Sequence, residues 1–142
     1  MLKPLGFFEE IFSGAPEGIS AGRLLESIPD TPAEDSGKIA TYLKDGHEIF
    51  DTMGAERDVV TGGRRILGAA SLQTDGVWVW RVDLAHYVRN YGVLLPSDFT
   101  DHVRRLDYTV PAVPDARLVE LTDEILPHLG FRRDGGGTPA QR

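Results

Sequence analysis

A chain of 142 residues with a net charge of −7, 41% hydrophobic content and no cysteine has room for one hydrophobic core and too little surface to bury for two. The missing thiol excludes disulfides, thiolate metal sites and cysteine nucleophiles. The acidity argues against nucleic acid, because phosphate contacts need clustered cations and the arginines here only pair, at Arg64-Arg65, Arg104-Arg105 and Arg132-Arg133.

No apolar run approaches the ~20 residues a membrane span requires. The opening MLKPLGFFEEIF meets Glu9 and Glu10 where a secretion signal would stay apolar. A cytoplasmic protein without membrane contact is therefore expected. Its charge imbalance is local: the first 58 residues hold 12 acidic and 5 basic side chains, and the remainder 10 of each.

Leu5, Phe7, Phe8, Ile11 and Phe12 recur at spacings of three and four, which predicts a short N-terminal helix stopped by Ser13-Gly14-Ala15-Pro16. Leu24, Leu25 and Ile28 form a second short apolar group ended by Pro29. Thr31-Pro32 with Glu34 and Asp35 is a helix start. That helix is expected to run to about Asp45, burying Ile39, Tyr42 and Leu43 and closing on a left-handed Gly46. His47 to Met53 alternates as a strand. Val59-Val60 is a candidate strand fragment. The following Gly62-Gly63-Arg64-Arg65 lacks the spacing and lysine of a phosphate loop and is expected to be a surface loop.

Asp75-Gly76 between two apolar runs predicts a hairpin with a two-residue turn. Trp78 and Trp80 fall on one face of its second strand and Val77 and Val79 on the other, so that strand is expected to be covered on both sides. Asp83 then starts a helix whose Leu84, Tyr87, Val88 and Tyr91 form one stripe, with Gly92 closing it. Ser97-Asp98 opens a helix carrying Phe99, His102, Val103 and Leu106. Tyr108 to Val110 is a candidate terminal strand. A last helix begins near Pro114-Asp115, aligns Leu118, Leu121, Ile125 and Leu129, and holds Pro127 in its final turn. These elements predict an α+β fold: a small, mostly antiparallel sheet with the Asp75-Gly76 hairpin, packed by several helices, in a single domain over residues 1–131 with a flexible tail at 132–142.

Catalytic patterns are missing. The four histidines, at 47, 86, 102 and 128, fall in different elements with no His-Glu-x-x-His spacing, which predicts no metal site. There is no Gly-x-Ser-x-Gly turn and no Gly-x-Gly-x-x-Gly after a strand, so neither a catalytic residue nor a cofactor is expected. The Trp-x-Trp strand has two readings, a partner-binding anchor or buried core, and apolar character on both faces favours core.

The pieces Asp75-Gly76-Val77-Trp78-Val79-Trp80, Asp83-Leu84-Ala85-His86-Tyr87-Val88 and Leu95-Pro96 with Phe99, preceded by Tyr42-Leu43-Lys44-Asp45-Gly46 and Met53-Gly54, span about residues 42–103. They resemble a family of small bacterial proteins, of actinobacterial type, with D-G-x-W-x-W, D-L-x-x-Y-V and L-P-x-x-F motifs, predicted to be immunity proteins of toxin systems. The resemblance implies a non-enzymatic protein that binds and neutralises a cognate toxin domain. Joined to the acidic N-terminal half, it directs attention to Asp45, Glu48, Asp51, Glu56 and Asp58 as contacts for a basic partner. The alternative is a small-ligand or regulatory domain with a pocket lined by Trp80, Tyr87 and Tyr91.

Overall fold

Most element boundaries follow this punctuation. The computed structural model describes residues 1–131, and the expected tail at 132–142 lies outside them. In chain order the elements are β1 (Lys3–Pro4), a single 3-10 turn (Leu24–Glu26), α1 (Ser36–Lys44), β2 (His47–Phe50), β3 (Ala55–Arg57), β4 (Arg65–Leu67), β5 (Leu72–Thr74), β6 (Trp78–Arg81), α2 (Leu84–Tyr91), α3 (Ser97–Arg105) and α4 (Asp115–His128). One sheet runs β1-β6-β5-β2, and β3 and β4 form a separate pair. Only β1, beside β6, is parallel; the other pairings are antiparallel. The fold is α+β with a small sheet, as expected.

Strand β6 is inside the sheet, and its alternation divides the core. Trp78 and Trp80 join Tyr42, Leu43, Leu84, Tyr87 and Phe99 from the three helices α1, α2 and α3. Val79, on the opposite face, joins Leu72 and, from α4, Leu121, Ile125 and Leu126. The sheet thus has a helical layer on each side. The aromatic side is interlocked: Phe99 meets Trp78, Trp80 and Tyr42 edge-on with ring centres 5.3, 6.0 and 6.1 Å away, a favoured geometry.

Five expectations are corrected, each for a tertiary reason. The N-terminal run is not a helix: Gly6 takes a left-handed φ of 72°, and the backbone donates to Val77 and Val79 carbonyls from Lys3 and Leu5 at 2.9 Å, adding β1 to the sheet. Helix α1 starts at Ser36 rather than near Thr31, because Pro32 packs under Gly92 and the Asp35 carboxylate, which makes no cap bond, is taken by Arg104 and Tyr108. Val59-Val60 is a turn, and the poorly patterned stretch around it is the β3–β4 hairpin. Tyr108 to Val110 is no strand, since Asp107 and Tyr108 both take left-handed φ, 53° and 59°. The Asp75-Gly76 connection is longer than two residues: Thr74 pairs with Val79, and of the two turn residues Gly76 alone has positive φ, 98°.

Gly46 is needed for space, not for handedness. It is absent from the positive-φ glycines, but a Cβ there would lie 2.6 Å from Trp80 Cζ2 and 3.2 Å from Gln73 Cβ. The fully buried indole, fixed by its Nε1–H to the Leu43 carbonyl at 3.1 Å, has no freedom to yield. Gly46→Ala is expected to lower stability by about 1–3 kcal/mol through overpacking. Gly37→Ala, in α1 with nothing within 4 Å of the added carbon, is expected to raise it by about 0.5–1 kcal/mol. Chemical denaturation of the two variants checks both signs.

Candidate functional site

Polar chemistry in this fold concentrates at three buried carboxylates, and two of them are wired alike. Asp58, at 2% exposure, accepts backbone N–H bonds from Val60 and Thr61 on Oδ1 at 2.7 and 2.9 Å. On Oδ2 it accepts from His86 Nε2–H at 2.6 Å and the Tyr91 hydroxyl at 2.7 Å. Asp75, at 1% exposure, repeats the pattern: Val77 and Trp78 N–H on Oδ1 at 2.9 and 2.8 Å, then Tyr42 hydroxyl and His102 Nε2–H on Oδ2 at 2.5 and 3.1 Å. In each, the aspartate's own turn supplies two donors and the helices supply a histidine and a tyrosine. Asn90, one turn along α2, donates to His86 Nδ1 at 3.1 Å, which fixes the Nε2–H tautomer toward Asp58.

These contacts set the electrostatics. Burial pushes the Asp58 carboxyl up, but the bonds from His86, Thr61, Tyr91 and Val60 outweigh it and hold the group at about 2. Burial, then the bond to Asp75, pushes the Tyr42 hydroxyl well above its ordinary value.

The third carboxylate, Asp83, belongs to a junction around Arg81, itself 4% exposed. Asp83 does not cap α2 with its side chain. It takes the guanidinium in a two-pronged pair, Nε to Oδ1 at 3.1 Å and NH2 to Oδ2 at 2.9 Å. NH2 also reaches Glu56 Oε1 at 3.0 Å, and NH1 donates to the Ile11 carbonyl. Burial works against the Arg81 charge, and the two carboxylates outweigh it.

The five acids singled out in the sequence therefore separate into two sets. Asp58 is buried against His86 and Tyr91, and Glu56, although exposed, is committed to Arg81. Asp45, Glu48 and Asp51 are exposed, Asp45 at the end of α1 and the others on and just after β2, an edge strand of its sheet. Asp51 accepts from Ser71 Oγ at 3.3 Å. Desolvation, a hydrogen bond that the protonated Glu48 carboxyl donates to Asp51, and the Asp51 charge hold Glu48 above its ordinary value. Among the described residues none of these three carboxylates makes an ion pair.

Of the three residues read as a possible pocket, two are core and one is at its margin. Trp80 and Tyr87 are fully buried core side chains, with the Tyr87 hydroxyl accepting from Val59 N–H at 3.0 Å. Tyr91 is half-buried, and its ring stacks on Tyr87. A shallow groove of about 440 Å³ lies elsewhere, lined by Glu34, Gly37, Lys38, Thr41 and Tyr108. Among the described residues no group of three or more His, Asp or Glu side chains is placed to hold a metal ion, and no helix is long and apolar enough to cross a membrane.

The carboxylate junctions join residues far apart in sequence and carry no local pattern. Local signals give Asp75 as a turn residue and Asp83 as a helix start, and only the turn signal around Asp75-Gly76 points to obligatory polar bonds in the region. Comparison of the chain with protein-family models, curated proteins and solved structures gave no match.

Asp58→Asn puts an amide against two donors and is expected to cost about 2–4 kcal/mol near neutral pH. The folded carboxyl is depressed below its ordinary value of 3.8 to about 2. Its contribution is therefore complete above that ordinary value and is lost as pH falls toward 2. Thermal melts across this range should show the gap between parent and variant closing on acidification.

Proposed function

We propose that this chain is an immunity-type protein that binds a basic toxin domain and blocks it without catalysis, using the acidic surface at Asp45, Glu48 and Asp51. The observation that carries this reading is the Glu48/Asp51 pair: two neighbouring carboxyls, exposed on an outer strand, with no cation against them among the described residues. Like charges held side by side destabilise a free protein and are relieved when a lysine or arginine from a partner is brought between them. The motif residues support the same reading in another way. Trp78, Trp80, Leu84, Tyr87, Val88 and Phe99 are all buried, so the residues behind the resemblance are framework, and recognition falls to the surface they display.

Glu56 and Asp58 drop out of the contact set, since Glu56 is already paired with Arg81 and Asp58 is buried and bonded to His86 and Tyr91. Binding should strengthen with pH through the carboxylate range: Glu48 is protonated at the low end and has lost the charge a cation would meet.

Two measurements test this. Co-expression with the C-terminal domain of a large polypeptide encoded beside this chain, in cells that the domain alone kills, should restore growth; continued killing with the folded protein present rejects the reading. A Glu48→Lys, Asp51→Lys variant should associate with that domain at least about tenfold more slowly at low salt, with the difference shrinking as salt rises. An unchanged association rate removes these residues from the interface.

A further inference from the structure

The β3–β4 hairpin has an outer face that the fold leaves bare. Its register pairs Ala55 with Leu67, Glu56 with Ile66 and Arg57 with Arg65. Cross-strand partners share a face and neighbours alternate. Glu56 and Ile66 therefore point inward, where Glu56 meets Arg81 and Ile66 packs on the main core. Ala55, Leu67, Arg57 and Arg65 share the other side. There Leu67 is 80% exposed, and Met53, two residues before Ala55, is 93% exposed, the highest values among the large apolar side chains of the described residues.

The arginines are as unusual as the apolar pair. Like charges directly opposite each other in a sheet oppose its formation. No carboxylate among the described residues pairs with Arg57 or Arg65. Among the described residues Arg57 makes one hydrogen bond, NH1 to the Gly62 carbonyl at 3.1 Å, which leaves donors on its fork unused, and the adjacent Arg64 is exposed and makes no ion pair with them. The hairpin is held to the body through its inner residues, so nothing in the fold calls for two cations and two apolar side chains outside.

We infer that this outer face docks an acidic protein segment, which lays apolar side chains on Met53 and Leu67 and carboxylates on Arg57 and Arg65. Arginine forks match carboxylates in pairs and are favoured at interface centres. A phosphate backbone would satisfy the arginines but find no counterpart for Met53 and Leu67. The surface carries the opposite charge to Asp45, Glu48 and Asp51 and belongs to other elements, so it stands apart from the function proposed above.

The test pans a displayed library of random peptides on the full chain and on an Arg57→Gln, Arg65→Gln variant, then follows the selected peptide by amide NMR. Selected sequences should interleave Asp or Glu with apolar residues, shift amides within residues 53–67, and bind the variant at least about tenfold more weakly. The variant's melting temperature should equal or exceed the parent's, which a structural role for the arginines would not allow. Leu67→Ser supplies a second reading, weakening binding with the arginines intact. Four results overturn the inference: no selected peptide depends on the arginines; the selected peptides are basic; inorganic phosphate gives the same shifts at the same strength; or these amides shift with protein concentration alone, which would make a second copy the occupant.

Discussion

Strand β6 has no face that can meet water, and the rest of the chain is disposed to satisfy it. Trp78 and Trp80 on one side and Val79 on the other require cover of different shapes. The wide aromatic side takes three helices and the narrow aliphatic side takes one. The edge of β6 is closed by β5 and, unexpectedly, by the first residues of the chain. Gly46 shows how tight the cover is, since the Trp80 ring occupies the space where its side chain would be. A strand apolar on both faces is a strong constraint because burying each face depends on elements far away in sequence.

Around that strand the fold uses buried carboxylates as fasteners. Asp58 and Asp75 each join a turn to distant helices, Asp83 grips Arg81, which itself reaches Glu56 and the Ile11 carbonyl, and none of the three is left with an idle oxygen. Each is expensive to bury alone. Each is retained because its own turn or the adjacent arginine supplies donors in fixed positions, so that little further order is needed to satisfy it. This has a consequence for charge. A formal count of the acidic N-terminal half overstates what a partner meets, since Asp58 is turned inward and Glu56 is committed to Arg81. Among the charges that do reach the surface, Asp45, Glu48 and Asp51 lie at the end of α1 and along and just after β2, and Arg57 and Arg65 lie on the outside of the β3–β4 hairpin.

That sorting follows from the two-residue period of strands. In the hairpin, one residue's difference in position decides whether a charge is inward, as Glu56 is, or outward, as Arg57 is. The hairpin's strands are also only three residues each, too short for alternation to announce them. Its inner face is held largely by polar bonds, from Glu56, Asp58 and the Val59 amide, and hydropathy patterns do not register such bonds.

Legibility differs sharply along the chain. The amino-acid order by itself determined the α+β class, the three later helices, the left-handed Gly92 and the two-sided burial of β6, because these rest on local periodicity and on backbone preferences of single residues. Gly92 ends α2 as its lack of a Cβ suggests, at φ 64°. Tertiary structure alone decided the rest. Gly6 and a parallel pairing overrode a helical stripe at the N-terminus; Arg104 and Tyr108 drew Asp35 away from capping α1; and the tip of the β5–β6 hairpin lengthened as its aspartate bound a tyrosine and a histidine 33 and 27 residues away. The physical reason is common to all of them. A polar side chain in a turn can satisfy its neighbours or a distant partner, the two choices are close in energy, and only the packed chain shows which partner is within reach.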